Sequence, residues 1–141
     1  MTRISALPLV LIVEDQSEVT QLLADLLRQA GYDTATATNG DDALALAAAH
    51  RPDFVLLDLT LPGRDGMQVL RELHALDPEL PVTILTGAGS SDRAREAMKN
   101  GASDFFTKPF DNQELLASIA DALANRRALG VRREALEAYR V

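Results

Sequence analysis

The sequence predicts an α/β protein: a doubly wound parallel β-sheet with helices on both faces. Three observations carry this reading. Short aliphatic runs alternate with segments of helical periodicity, the alternation occurs five times, and Gly, Pro or Asn marks most junctions. Each strand–helix–strand unit then has a right-handed crossover.

Residues 7–13 form the first run, apolar on both faces and ending in Glu14-Asp15, as a buried parallel strand does. Ser17 is placed to cap a helix in which Val19, Leu22, Leu23, Leu26 and Leu27 recur at helical spacing, and Gly31 ends it. Residues 32–38, rich in Thr and Ala, read as an edge strand. Asn39-Gly40-Asp41 is a turn and cap leading into an Ala/Leu helix over residues 42–50.

The third strand covers residues 54–57 and stops at Asp58. A loop holding Pro62, Gly63 and Gly66 leads to a helix over residues 67–76. Pro81 opens a fourth strand, residues 82–85, which stops at Thr86. Gly87 and Gly89 loosen the next turn, residues 91–100 are helical, and Gly101 terminates them. Residues 103–107 are the fifth strand, ending at Lys108-Pro109. A last helix begins near Asp111 and turns Leu115, Leu116, Ile119 and Leu123 toward the sheet. Residues 6–125 make one domain, and residues 126–141 are a C-terminal helical extension or linker remnant. In this extension Leu129, Val131, Leu136 and Tyr139 continue the apolar pattern past the weak point at Gly130.

Composition narrows the function. The chain has 141 residues, 47% hydrophobic but only 4% aromatic, so its core is aliphatic. No cysteine is present, which excludes disulfides and thiolate chemistry, and His50 and His74 fall on different helices. The net charge of −7 argues against nucleic-acid binding by this segment, although Arg126, Arg127, Arg132, Arg133 and Arg140 crowd the extension. No apolar run is long enough to span a membrane, and residues 1–5 carry no apolar signal core before Pro8, so a cytoplasmic protein is expected.

In an open parallel sheet, ligands bind beyond the carboxyl ends of the strands, where strand order reverses. The residues at those ends are Glu14 and Asp15, Asp58, Thr86 and Lys108. If the first and third strands are neighbours, three carboxylates converge, and a cation between them relieves their repulsion. An all-oxygen donor set favours a hard ion such as Mg²⁺, which prefers one or two carboxylates together with a phosphate oxygen. Asp58 is then the candidate nucleophile toward phosphorus, forming an acyl phosphate. Lys108 and the Thr86 hydroxyl are placed to balance and hold the phosphoryl oxygens. Singly, each of these residues reads as an ordinary cap or solvated turn; their placement at the ends of successive strands is what points to chemistry.

The sequence closely resembles the receiver domains of bacterial two-component response regulators, over roughly residues 7–125. The resemblance lies in Leu9-Val10-Leu11-Ile12-Val13-Glu14-Asp15, Leu56-Leu57-Asp58-Leu59-Thr60-Leu61-Pro62-Gly63, Asp65-Gly66, Ile84-Leu85-Thr86-Gly87 and Gly101-Ala102-Ser103-Asp104-Phe105-Phe106-Thr107-Lys108-Pro109-Phe110. It implies a flavodoxin-like (βα)5 fold with strand order 2-1-3-4-5. It also implies a phosphoacceptor at Asp58 and an acidic pair at Glu14 and Asp15. The metal site it implies comprises Glu14, Asp15, Asp58 and the backbone carbonyl of Thr60, with Asp15, Asp58 and that carbonyl as the direct Mg²⁺ ligands. Thr86 and Lys108 match the phosphoryl-sensing pair, Phe105 the rotating aromatic, and Pro109 a proline whose preceding bond is typically cis.

The implied function is signalling rather than turnover. A histidine kinase or histidine phosphotransfer protein phosphorylates Asp58, the fourth helix and fifth strand change their surface, and an output domain or partner protein reads the change, with homodimerisation as one form of output. Three positions depart from the commonest pattern: Thr60 stands where Met is frequent, Gly87 where Ala is usual, and Phe105 lacks a tyrosine hydroxyl. Two rival functions remain open. A degenerate receiver would act as a constitutive interaction module. An aspartyl-phosphate phosphohydrolase would want a second acid where Thr60 stands. A flavin-binding domain of similar topology is disfavoured, because Glu14-Asp15-Gln16 would repel phosphate after the first strand.

Overall fold

Each aliphatic run becomes a strand and each periodic segment a helix in a computed structural model, which describes residues 7–87 and 91–138. The elements follow as β1 (Leu9–Val13), α1 (Ser17–Gln29), β2 (Asp33–Ala37), α2 (Gly40–His50), β3 (Phe54–Asp58), α3 (Gly66–Leu76), β4 (Val82–Thr86), α4 (Ser91–Lys99), β5 (Asp104–Thr107) and α5 (Asn112–Ala138). Gly89, Tyr139 and Arg140 lie outside the described residues, as do the side chains of Leu129, Val131, Arg132, Arg133 and Leu136.

The five strands are parallel and ordered β2-β1-β3-β4-β5, the doubly wound, flavodoxin-like arrangement. Strand order reverses between β1 and β3. Alternate residues of each central strand feed opposite layers, because successive side chains leave a strand on opposite faces. Leu11 and Val13, Val55 and Leu57, and Val82 and Ile84 pack with Met67, Val69, Leu70 and Leu73 of α3, with Ala43 and Ala47 of α2 and with Ala97 of α4. Val10 and Ile12, Phe54 and Leu56, and Leu85 pack with Leu23, Ala24 and Leu27 of α1 and with Leu115 and Ile119 of α5. β1, β3 and β4 are buried along their whole length. Each of their leucines and isoleucines contributes about 1.5–3 kcal/mol by leaving water.

Two local readings change. Ser17 is the first helical residue of α1 rather than its cap; Gln16 holds the cap position and makes no side-chain capping bond. Upstream, the Gln16 amide donates to Glu14 Oε1 at 3.2 Å. Leu22 keeps helical spacing with its apolar neighbours but points away from the sheet and is 62% exposed. At the other junctions the caps are as expected: Asn39 accepts from the Asp42 amide at 2.8 Å, and Gly31 and Gly101 take positive φ angles of 97° and 101°.

Asp111 accepts from the amides of Gln113 and Glu114 at the start of α5. This helix is one continuous run of 27 residues, about 40 Å at the usual rise. Arg126 Nη2 pairs with Asp77 Oδ2 at 2.5 Å and so fastens α5 to the loop after α3. No helix among the described residues is long and apolar enough to cross a membrane.

Candidate functional site

Strand register assembles the site. Val13 pairs with Leu57 across β1 and β3, so Glu14 and Asp58, each one residue further on, emerge side by side at the carboxyl rim. Asp58 pairs with Leu85, and Thr86 with Thr107, which sets Thr86 and Lys108 on the same rim. A 2.8 Å bond from the Lys108 amide to the Thr86 carbonyl closes β4 on β5 at this point. The Lys108–Pro109 peptide bond is cis.

Glu14, Asp15 and Asp58 each offer a carboxylate oxygen, and the three oxygens lie within 4.8 Å of one another. Glu14 is fully buried, Asp58 is 5% exposed, and Asp15 is exposed to solvent. Lys108 reaches over this group from the end of β5. Its Nζ donates to Glu14 Oε2 at 2.8 Å and to Asp58 Oδ2 at 3.1 Å. The other Asp58 oxygen accepts from the Thr60 amide at 2.9 Å.

Burial pushes the Glu14 carboxyl above its usual value; the Lys108 hydrogen bond opposes this shift and the Asp58 charge reinforces it. Burial alone would lower Lys108, but its hydrogen bonds to Glu14 and Asp58 prevail, aided by their charges, and raise its ammonium above the usual value. Three acids against one ammonium leave a formal surplus of two negative charges. The surplus, the all-oxygen donors and the solvent-facing Asp15 fit a hard divalent cation of the Mg²⁺ type.

Thr86 is buried, and its hydroxyl donates to the Phe106 carbonyl at 3.5 Å, a long contact for a hydroxyl donor. Phe105 points outward and is 39% exposed. Thr60 is exposed beside Asp58. Glu14, Asp15, Asp58, Thr60, Thr86 and Lys108 thus gather at one rim, while Phe105 stands on the outer side of β5 and Pro109 begins the loop into α5.

Features that the sequence did not disclose surround this rim. The direct Glu14–Lys108 bond joins residues 94 positions apart, and no local pattern signals such a pair. Gly66 is another. A Cβ added there would lie 2.6 Å from Leu59 Cα and 2.8 Å from Leu59 O, so the start of α3 rests on the backbone next to Asp58. The third is a set of arginine contacts: Arg64 bonds Asp41 and Glu72, and Arg93 bonds Asp65.

A parallel, doubly wound sheet with carboxylates, a hydroxyl and an ammonium gathered at its switch point defines a class of α/β domain whose site lies beyond the carboxyl ends of the strands. Residues 10–120 match the response regulator receiver domain model, and the chain belongs to that family. It is 40% identical over 119 residues to the transcriptional regulatory protein PrrA of Mycobacterium tuberculosis, a match that covers 84% of this chain and 51% of the relative. It is also 40% identical over 106 residues to sporulation initiation phosphotransferase F of Bacillus subtilis, covering 75% of this chain and 86% of the relative. The crystal structure of a response regulator receiver domain protein from Clostridium thermocellum superposes with a TM-score of 0.84 at 33% identity, covering 87% of this chain and 99% of that one. This chain therefore spans about half the length of the PrrA relative, and it is a receiver domain of the two-component response-regulator type.

Proposed function

We propose that Asp58 accepts a phosphoryl group from the phosphohistidine of a histidine kinase or histidine phosphotransfer protein, in a Mg²⁺-dependent reaction. The observation that carries this reading is the Asp58 carboxylate at the sheet rim, 3.1 Å from Lys108 Nζ and clustered with Glu14 and Asp15. One Asp58 oxygen attacks phosphorus, the phosphorus–nitrogen bond breaks, and an acyl phosphate forms as the imidazole leaves. Asp15, Asp58 and the Thr60 backbone carbonyl would hold the ion, which supplies charge neutralisation on a phosphoryl oxygen. Glu14 holds Lys108 in place, the Thr60 amide orients the nucleophile, and Lys108 balances a second phosphoryl oxygen.

Once Asp58 carries the phosphoryl group, the Thr86 hydroxyl leaves the Phe106 carbonyl and donates to a phosphoryl oxygen. Phe105 then turns inward into the space vacated, and the surface of α4, β5 and α5 changes. Phosphorylation drives this shift only through its different contacts with the two states. An output domain or partner protein, or a second copy of the chain, reads the altered face. A relative named as a transcriptional regulatory protein and another named as a phosphotransferase support these partner classes. Residues 6–125 act as the receiver and residues 126–141 as its helical extension, in the cytoplasm, and this segment makes no direct nucleic-acid or membrane contact. The protein is a signalling phosphoacceptor whose own catalysis is confined to gaining and losing its phosphoryl group.

Phosphotransfer from a panel of labelled histidine kinases tests the reading. Label should pass to the wild type, not to Asp58→Asn, and not in the presence of a Mg²⁺ chelator. Equal labelling of Asp58→Asn would overturn it.

A further inference from the structure

Two segments flank the phosphoacceptor. The loop from Leu59 to Asp65 leaves β3 and carries Thr60, whose amide holds Asp58. On the other side β4 ends at Thr86, and α4 begins at Ser91. An ion pair joins the end of the β3–α3 loop to α4. Arg93 Nη2, in the first turn of α4, lies 2.5 Å from Asp65 Oδ1. Asp65 is also the N-cap of α3, where its carboxylate accepts from the Met67 amide at 3.2 Å. On the other side of the loop, Arg64 bonds Asp41 at the start of α2 and Glu72 of α3. The β3–α3 loop is therefore anchored to α2 and α3 by Arg64 and to α4 by Arg93.

The Arg93–Asp65 pair coexists with a particular state of the rim, in which the Thr86 hydroxyl faces the Phe106 carbonyl and Phe105 is turned outward. We propose that Arg93 is a positioning residue for the phosphoacceptor site: its pairing with Asp65 holds α4 against the β3–α3 loop, stabilises the resting arrangement of Thr86, and must be released when the domain is phosphorylated. This inference rests on the function proposed above and adds a named restraint to it. A solvent-exposed pair has only a modest strength. In a two-state switch, even that shifts the ratio of states by about two- to fivefold.

The effect is separable from simple surface charge. Removing the Arg93 cation should by itself weaken binding of an anion at the rim, whereas removing the Asp65 anion should strengthen it. A restraint on the switch predicts the same sign for both, because either change releases it. Asn also keeps the capping acceptor at position 65, so α3 retains its start.

The test titrates wild type, Arg93→Gln, Asp65→Asn, the double variant and Arg93→Lys with beryllofluoride and Mg²⁺, a mimic of the acyl phosphate. The midpoint is read from amide chemical shifts, and urea unfolding of each variant checks its fold. Arg93→Gln and Asp65→Asn should each lower the midpoint about two- to fivefold. The double variant should match the singles rather than multiply them, and Arg93→Lys should return most of the way to wild type. Unchanged midpoints, opposite signs or multiplying effects would overturn the inference while leaving the proposed function standing. Failure of the wild type to take up beryllofluoride at all would overturn both.

Discussion

Lys108 Nζ lies 2.8 Å from Glu14 Oε2 and 3.1 Å from Asp58 Oδ2, so one ammonium at the end of β5 bonds two buried carboxylates from the ends of β1 and β3. The pairing makes Lys108 part of what holds the rim together, in addition to the role proposed for it toward a phosphoryl oxygen. Without it, two acids face each other at short range with no counter-charge.

Lys108→Met should therefore destabilise the ion-free protein by about 1–3 kcal/mol, a value below that for a fully buried pair because Lys108 remains partly open to water. Urea unfolding with and without Mg²⁺ measures it. The deficit should shrink when Mg²⁺ is added, since the cation takes over the neutralisation. An equal deficit in both conditions would mean that Lys108 acts on stability by packing alone.

Asp15 is exposed and contributes its oxygen to the cluster from the solvent side. Asp15→Asn should leave ion-free stability unchanged or slightly raised, because it removes one of the surplus negative charges from the solvent-facing side of the cluster. It should also abolish most of the thermal stabilisation that Mg²⁺ gives the wild type, because a ligand stabilises only to the extent that it binds the folded state. Calorimetric melts across a Mg²⁺ series read both quantities.

Gly66 has no room for a side chain, since a methyl group there would collide with the backbone of Leu59. Backbone cannot be moved aside as a flexible side chain can. Gly66→Ala should cost about 1–3 kcal/mol in urea unfolding and should shift the amide resonances of Leu59 and Thr60, the neighbours of Asp58.

The Asp65 carboxyl is held below its ordinary value of 3.8, chiefly by the Met67 amide, against the opposing effect of burial and with help from the Arg93 hydrogen bond and the Arg93 and Arg71 charges. A carboxyl lowered in the folded state contributes stability above its unfolded value and loses it as pH falls through the folded one. The stability difference between wild type and Asp65→Asn should be present near neutral pH, at most about 1 kcal/mol for so exposed a pair. It should vanish as the pH falls well below 4. Thermal melts of the two proteins across that range read the difference.

Much of this arrangement was legible from the residues alone. Runs such as Val10 to Val13 and Val55 to Leu57 announce buried parallel strands because both faces are apolar, and the polar residue that ends each run marks the rim. Leu22 shows where such reading stops. Helical spacing identifies α1, but a face of five apolar positions is wider than the sheet covers, so one remains in water. Ser17 shows a second limit: several polar residues can serve a helix start, and the choice fell to Gln16 with the Glu14 carboxylate behind it. The Arg64 and Arg93 pairs were hidden for a different reason. Exposed charges carry no periodicity, and their partners lie 8 to 28 residues away, chosen by the packing of α2, α3 and α4.

The most direct measurement of the central claim is intact-mass and peptide mapping of the protein after incubation with acetyl phosphate and Mg²⁺. The expected result is the gain of a single phosphoryl group, mapped to Asp58 and lost when Mg²⁺ is chelated. A phosphoryl group mapped to any other residue, or retained in Asp58→Asn, would contradict the account.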